Sequence, residues 1–271
     1  MDRSVFELFR LDGKVAIVTG AHAWLGYDIA CAFAEAGADV IITSRNVDSI
    51  RETAAQIGEK YHVDTLALPL DQRKYENVQK MADAALAWKG HIDILVNNAG
   101  GGSGKTEGDF LKRDPADIQN LIDINLTGSV FCSKAVGAMM AKAGCGKIIN
   151  IASISAFLAR DRRTYHLHNK MEQPVDYAAA KGGVVGYTID LAAVMSQYGV
   201  YVNCISPGAF DKGDQPEGYS QAYRDKVPLG RMGRFGIDIK GAALLLASPA
   251  SDYMTGANIV VDGGFSIWNY T

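Results

Sequence analysis

Short, β-branched apolar runs separated by stretches of helical periodicity leave this chain few architectures. The runs are VAIVTG (15–20), DVIITSR (39–45), TLALPL (65–70), IDILVNNAG (92–100), KIINIAS (147–153), VYVNCISPG (200–208) and NIVVDGG (258–264). Most end in Gly, Ser, Asn or Asp, as strands buried on both faces do. Between them lie helical patterns such as VDSIRETAAQIGEKY, YENVQKMADAALAWK, DIQNLIDINLTGSVFCSKAVGAMMAKA and YAAAKGGVVGYTIDLAAVMSQYG. Buried strands alternating with amphipathic helices predict an α/β fold: one doubly wound, Rossmann-type parallel sheet with helices on both faces. With 271 residues and 48% hydrophobic content, one domain spanning 1–271 can bury its own core.

Charge and composition exclude several function classes. The 27 basic and 30 acidic residues are dispersed, giving a net charge of −3 and no block suited to nucleic acid or to an anionic membrane. The N-terminus carries no apolar core of signal-peptide length, and no uncharged apolar run is long enough to span a bilayer. The chain reads as a soluble, non-exported, cytoplasmic protein. Cys31, Cys132, Cys145 and Cys204 form no CxxC pair, so they read as reduced, small apolar residues without a metal or redox role.

In such sheets ligands bind beyond the carboxyl ends of the strands. Behind the first run stands TGAHAWLG (19–26): Gly20 suits a tight turn, Gly26 lets the following helix lie close to the sheet, and the helix start offers N–H groups to a pyrophosphate. YAAAK places Tyr177 and Lys181 four residues apart on one helix face, where the ammonium favours a phenolate near neutral pH. After the second run stand Ser44, Arg45 and Asn46. An arginine there accepts the 2′-phosphate of NADP, whereas a carboxylate would bind the NAD ribose. NADP(H) is the better fit and NAD(H) the alternative. Asp71 follows the third run, where it can cap the next helix.

Taken in order, TGAHAWLG, NNAG (97–100), INLTG (124–128), NIAS (150–153), YAAAK (177–181) and SPG (206–208) resemble the short-chain dehydrogenases/reductases along nearly the whole chain. The resemblance implies a secondary alcohol–ketone oxidoreductase with Asn125, Ser153, Tyr177 and Lys181 as its catalytic set. Tyr177 would pass a proton to or from the substrate oxygen, Ser153 would hold that oxygen, Lys181 would lower the tyrosine pKa and bond the ribose, and Asn125 would position a water. The cofactor would lie along Gly20, His22, Trp24, Leu25, Ser44, Arg45, Asn46, Asp71, Asn98, Gly100, Tyr177, Lys181, Pro207 and Gly208. The tail VDGGFSIWNYT and PLGRMGRFG (228–236) look most like members acting on sugars, sugar acids and polyols, and the family implies a homotetramer formed by the long helices and the C-terminal strand. The rival reading is a nucleotide-sensing or structural protein on the same fold; the intact Ser153, Tyr177 and Lys181 weigh against it.

Two features depart from the family pattern. Trp24 replaces a glycine; with the other motifs intact, it is expected near a helical conformation with its ring turned aside. Ser153 and Tyr177 are 24 residues apart, wider than in the family, which marks 157–176 as a substrate-side insertion without clear periodicity. Within it Arg160, Arg162, Arg163 and Lys170 stand against a single Asp161, which suits a carboxylate-, sulfonate- or phosphate-bearing substrate or is a solvated basic loop, and Arg160, Arg163 and Tyr165 are the candidate substrate contacts. His166 and His168 lack further ligands for a metal. For 209–224 the resemblance implies a flexible lid over the substrate, which Gly213, Pro216 and Gly218 suit. AGGGSGKT (99–106) imitates a phosphate-binding P-loop, but Gly108 and Pro115 make a poor helix start, so Lys105 reads as a solvated loop charge.

Overall fold

The computed structural model describes residues 3–102 and 106–267. Seven strands, β1 (Val15–Thr19), β2 (Asp39–Ser44), β3 (Thr65–Pro69), β4 (Ile94–Asn97), β5 (Gly146–Ile151), β6 (Val200–Pro207) and β7 (Asn258–Val261), pair in the order β3-β2-β1-β4-β5-β6-β7. All pairs are parallel, with Val15 opposite Asp39 on one side of β1 and Ala16 opposite Ile94 on the other. Each strand lies within one of the apolar runs or begins one residue before it. The helices are α1 (Val5–Leu8), α2 (Trp24–Glu35), α3 (Val47–Tyr61), α4 (Tyr75–Lys89), α5 (Pro115–Ile122), α6 (Gly128–Ala143), α7 (Arg162–Leu167), α8 (Val175–Ser196), α9 (Glu217–Arg224) and α10 (Lys240–Ala247).

The period-2 alternation of side chains divides the core between the two faces. Ala16, Val18, Val40 and Ile42 meet α2, α3 and α10 on one side. Val15, Ile17, Ile41 and Leu95 meet α4, α6 and α8 on the other. Local chemistry sets the helix ends. The Asn46 side chain accepts hydrogen bonds from the Asp48 and Ser49 amides at the start of α3, and Gly90 takes φ +81° to end α4. No described helix is long and apolar enough to cross a membrane.

Three expectations are corrected. The long periodic run 117–143 is not one helix: a π-helical turn, Asp123–Thr127, separates α5 from α6 and buries Asn125. The two segments without clear periodicity contain α7 and α9, which pack against each other. Such short helices are held by caps and tertiary contacts, so no repeating apolar stripe announces them. Asp71 does not cap α4; Lys74 precedes that helix without a side-chain bond, and Asp71 instead accepts from the Arg73 amide and side chain. Cys31, Cys132 and Cys204 are buried thiols, whereas Cys145 is exposed.

Candidate active site

The strand order reverses direction at β1 and β4, so a crevice opens beyond their carboxyl ends. Thr19 fastens it: its hydroxyl donates to the Val96 carbonyl at 3.2 Å and accepts from the Asn98 and Ala99 amides at 3.0 and 2.9 Å. The Asn98 side chain donates to the carbonyls of Thr19 and Gly20 at 2.8 and 3.2 Å, so its N–H groups hold the β1 turn. Gly20 adopts φ +66°, and a Cβ there would stand 2.8 Å from the Ala99 Cα; only glycine fits. A Cβ on Gly26 would lie 2.7 Å from the Gly20 carbonyl oxygen. Gln72, which the motif reading missed, donates to the Ala99 and Ile124 carbonyls at 3.0 and 2.6 Å and ties this turn to the π-helical turn.

Trp24 corrects an expectation. Its φ is +57°, the left-handed region, rather than near a right-handed helical value. The ring does turn aside, lying 5.0 Å from Phe235, with the Lys212 ammonium 4.5 Å from its centroid. Phe235 in turn touches Phe210 at 5.4 Å. These contacts offset the strain that a bulky residue carries in this backbone region. Ala23, at the N-cap of α2, supplies no side-chain hydrogen bond, so the first N–H groups of α2 lack the usual side-chain acceptor. His22 is exposed and Leu25 half-buried beside them. Arg45 is exposed at the end of β2, with Ser44 and Asn46 bonded to each other through the Asn46 amide. A glycine cradle, uncapped helix amides and an exposed arginine form a donor set that fits an anionic dinucleotide.

Asn125 links this crevice to α8. Its Oδ1 accepts from the Gly101 amide at 3.0 Å, and its Nδ2 donates to the Gly101 and Leu121 carbonyls at 3.0 and 3.1 Å. Gly100 passes so close that a Cβ would press on the Asn125 Oδ1 and reach within 3.7 Å of the Lys181 Nζ. Lys181 is buried, donates to the Ile151 carbonyl at 2.7 Å, and its pKa is lowered to about 8 by burial. It lies 5.8 Å from the Tyr177 ring centroid. Ser153, at the end of β5, is hydrogen-bonded to Tyr177, and its hydroxyl donates to that of Ser155 at 3.1 Å.

Burial raises the Tyr177 pKa, opposed by the Ser153 hydrogen bond and then by the charge of Arg160. Arg160 is thus a cation that pulls this pKa down. Arg160 stands 5.4 Å from the Tyr177 ring, whereas the Lys181 ammonium is drawn to a backbone carbonyl. Arg113 and Asp176, both buried, hold the start of α8, one residue before Tyr177. One bond, from Nη2 to Oδ2, is 2.9 Å, while the Nε and Oδ1 atoms are also 2.9 Å apart but poorly aligned for a hydrogen bond.

The insertion and the segment after β6 close over a cavity of about 710 Å³, a volume ordinary for small ligands. Ser153, Tyr177 and Gly208 line it, with Arg160, Arg163 and Tyr165. Pro207 is buried at the end of β6, and the Gly208 amide donates to the Val261 carbonyl at 2.9 Å. Arg163 is spent on Asp161, its Nε and Nη2 donating at 2.9 and 3.1 Å. Tyr165 is largely buried, with its ring 5.2 Å from that of Tyr219. His166 pairs with Glu172. Sequence marks Lys170 only as one cation of the basic insertion and does not mark Tyr219; their place on the cavity depends on α7 and α9. The AGGGSGKT stretch runs into Ser103, Gly104 and Lys105, which lie outside the described residues.

A family model described as enoyl-(acyl carrier protein) reductase matches residues 20–266. The chain is 33% identical to the NADP-dependent mannitol dehydrogenase of Hypocrea jecorina over 97% of this chain and 96% of that protein. It is 38% identical to the D-threitol dehydrogenase of Mycolicibacterium smegmatis over 96% and 95%. A gluconate 5-dehydrogenase from Burkholderia cenocepacia J2315, solved in complex with NADP and tartrate, superposes with a TM-score of 0.88 at 32% identity, covering 98% of this chain and all of that one. The chain belongs to the short-chain dehydrogenase/reductase family. It is an NAD(P)-dependent oxidoreductase that interconverts alcohol and ketone.

Proposed function

We propose that this enzyme uses NADP(H) to interconvert a secondary hydroxyl and a ketone on a sugar, sugar acid or related polyol, with Tyr177 as general acid and base. The observation that carries the reading is the meeting of Ser153 and Tyr177 at the wall of the cavity, with Lys181 and Asn125 directly behind. Relatives named for mannitol, threitol and gluconate support the sugar-like class, and two of them are named with NADP. Exposed Arg45, without a carboxylate in the Ser44–Asn46 stretch, supports NADP(H) over NAD(H).

Bound NADP+ would supply the acceptor for the hydride of the carbinol carbon, and NADPH the donor in the reverse direction. In oxidation Tyr177 first gives up its phenolic proton to solvent and the phenolate then takes the substrate hydroxyl proton; in reduction the Tyr177 hydroxyl donates its proton to the carbonyl oxygen. Ser153 donates a hydrogen bond to that same oxygen. Tyr177, with its pKa raised, is protonated at neutral pH and so begins as the acid. Asn125 holds the loop at Gly101, and Lys181, bonded to the Ile151 carbonyl, stands behind Gly100 at the floor of the site. His22, Trp24, Leu25, Asp71, Asn98 and Pro207 flank the cofactor crevice.

Fluorescence titration with NADPH and NADH, followed by nicotinamide absorbance with a panel of sugars, sugar acids and polyols, tests the reading. Binding of NADH without NADPH, or no turnover across the panel, would overturn it. We further propose a homotetramer, supported by Val130 on α6 and Ile189 and Val194 on α8, which expose apolar side chains. Light scattering that finds a monomer would contradict it.

A further inference from the structure

The cavity wall is charged unequally. It carries four cations, Arg160, Arg163, Lys170 and Lys226, against one carboxylate, Asp161. Asp161 is already shared, lying 2.9 Å from the Arg163 Nε and 3.3 Å from the Lys226 Nζ. Arg160 donates to the Ser155 hydroxyl and has no carboxylate within ion-pair distance among the described residues. Lys170 likewise has no hydrogen-bond acceptor for its ammonium there; it rests 4.1 Å from the Tyr219 ring centroid, and Asp214 reaches it only through space.

Two partly buried cations held against aromatic rings without counter-charges are costly unless a ligand supplies the charge. Both sit where a substrate would. Arg160 touches the reacting end, 5.4 Å from the Tyr177 ring and joined through Ser155 to the Ser153 hydroxyl. A guanidinium presents paired N–H groups that match a carboxylate, and an alcohol cannot answer them with charge.

We infer that Arg160 and Lys170 select a substrate bearing a carboxylate, so that the physiological substrate is a sugar acid and not a neutral polyol. Arg160 binds a carboxylate within a few bonds of the reacting carbon, and Lys170 serves the acid's polar remainder. The inference rests on the oxidoreductase function proposed above and narrows its substrate. Within the insertion it keeps Arg160 and Lys170 as anion contacts and leaves out Arg163, which Asp161 neutralises.

Tartrate and threitol share one four-carbon skeleton and differ in whether its ends are carboxylates or alcohols. Calorimetric titration of each into the NADPH-loaded enzyme is expected to show tartrate binding about 10- to 100-fold more tightly, the usual range for hydrogen bonds to a charged group. Arg160→Gln together with Lys170→Gln should abolish the difference, with retained NADPH binding showing that the variant is folded. In turnover, the ratio of kcat/KM for a hexonate to that for the matching hexitol should fall in the same variant, mainly through KM. Equal binding of tartrate and threitol, binding of neither, or a preference that survives the double substitution would overturn the inference. Because the titration needs no turnover, tartrate selectivity without any oxidation of sugar acids or polyols would count against the proposed function alone.

Discussion

Trp24 allows a test in which the sign of an effect decides. At the start of a right-handed helix alanine is preferred to glycine by about 1 kcal/mol. Here the residue has φ +57°, where an L-residue with a Cβ costs roughly 1–2 kcal/mol. Trp24→Ala keeps that strain and loses the contacts with Phe235 at 5.0 Å and Lys212 at 4.5 Å. Those contacts are worth about 0.5–1.5 and 0.5–1 kcal/mol, so the alanine variant should be destabilised by roughly 1–2.5 kcal/mol. Trp24→Gly loses the same contacts but relieves the strain, less about 0.5–1 kcal/mol for the greater freedom of glycine in the unfolded chain. The glycine variant should therefore be the more stable of the two by about 0.5–1 kcal/mol, or roughly 1–4 °C in melting temperature. Urea and thermal unfolding of the two variants side by side measure the difference. An alanine variant as stable as the glycine variant, or more so, would refute the left-handed conformation and the account of the TGAHAWLG turn built on it.

Arg160→Gln removes a charge that lowers the Tyr177 pKa, so the alkaline rise of the alcohol-oxidation rate should move to higher pH in a kcat/KM profile. Lys181 is brought down to about 8 by burial, so its charge is held at a cost below that pH, and the cost disappears above the unfolded value of 10.5. Lys181→Met should consequently stabilise the cofactor-free protein at pH 7, by on the order of 1–2 kcal/mol once the unpaired Ile151 carbonyl is counted, while reducing turnover. The same variant should lack the gain in stability between pH 8 and 10.5, which melting curves across that range would reveal. Arg113→Ala leaves Asp176 buried without its partner and should cost about 3–5 kcal/mol in urea unfolding. The conservative Arg113→Lys should restore part of both stability and kcat, because Asp176 sets the start of the helix that carries Tyr177.

The sheet was legible because each strand is buried on both faces and so reads as a compact apolar run. Asn125, Ser153, Tyr177 and Lys181 were legible by motif, and the fold brings them beside one another. Other features depend on contacts between distant residues. Nothing in TGAHAWLG reveals Phe235, which lies far along the chain and makes a left-handed Trp24 tolerable. Arg113 and Asp176 are likewise remote in sequence, and neither stands in a motif. Arg163 and Arg160 look alike in RDRRTYHLHNK, but only the fold shows that Asp161 consumes the former and leaves the latter facing the cavity. Lys170 enters the site through α7 and α9, whose brevity hides them from periodicity.

Tyr177→Phe, assayed for NADP-linked oxidation of a sugar acid and in parallel for NADPH binding by fluorescence, tests the proposed chemistry most directly. Loss of the phenolic hydroxyl removes the proton carrier and leaves the ring packing, so binding should persist while kcat falls about 10²- to 10⁴-fold. Turnover close to that of the unaltered enzyme would contradict the assignment of Tyr177 as the acid and base.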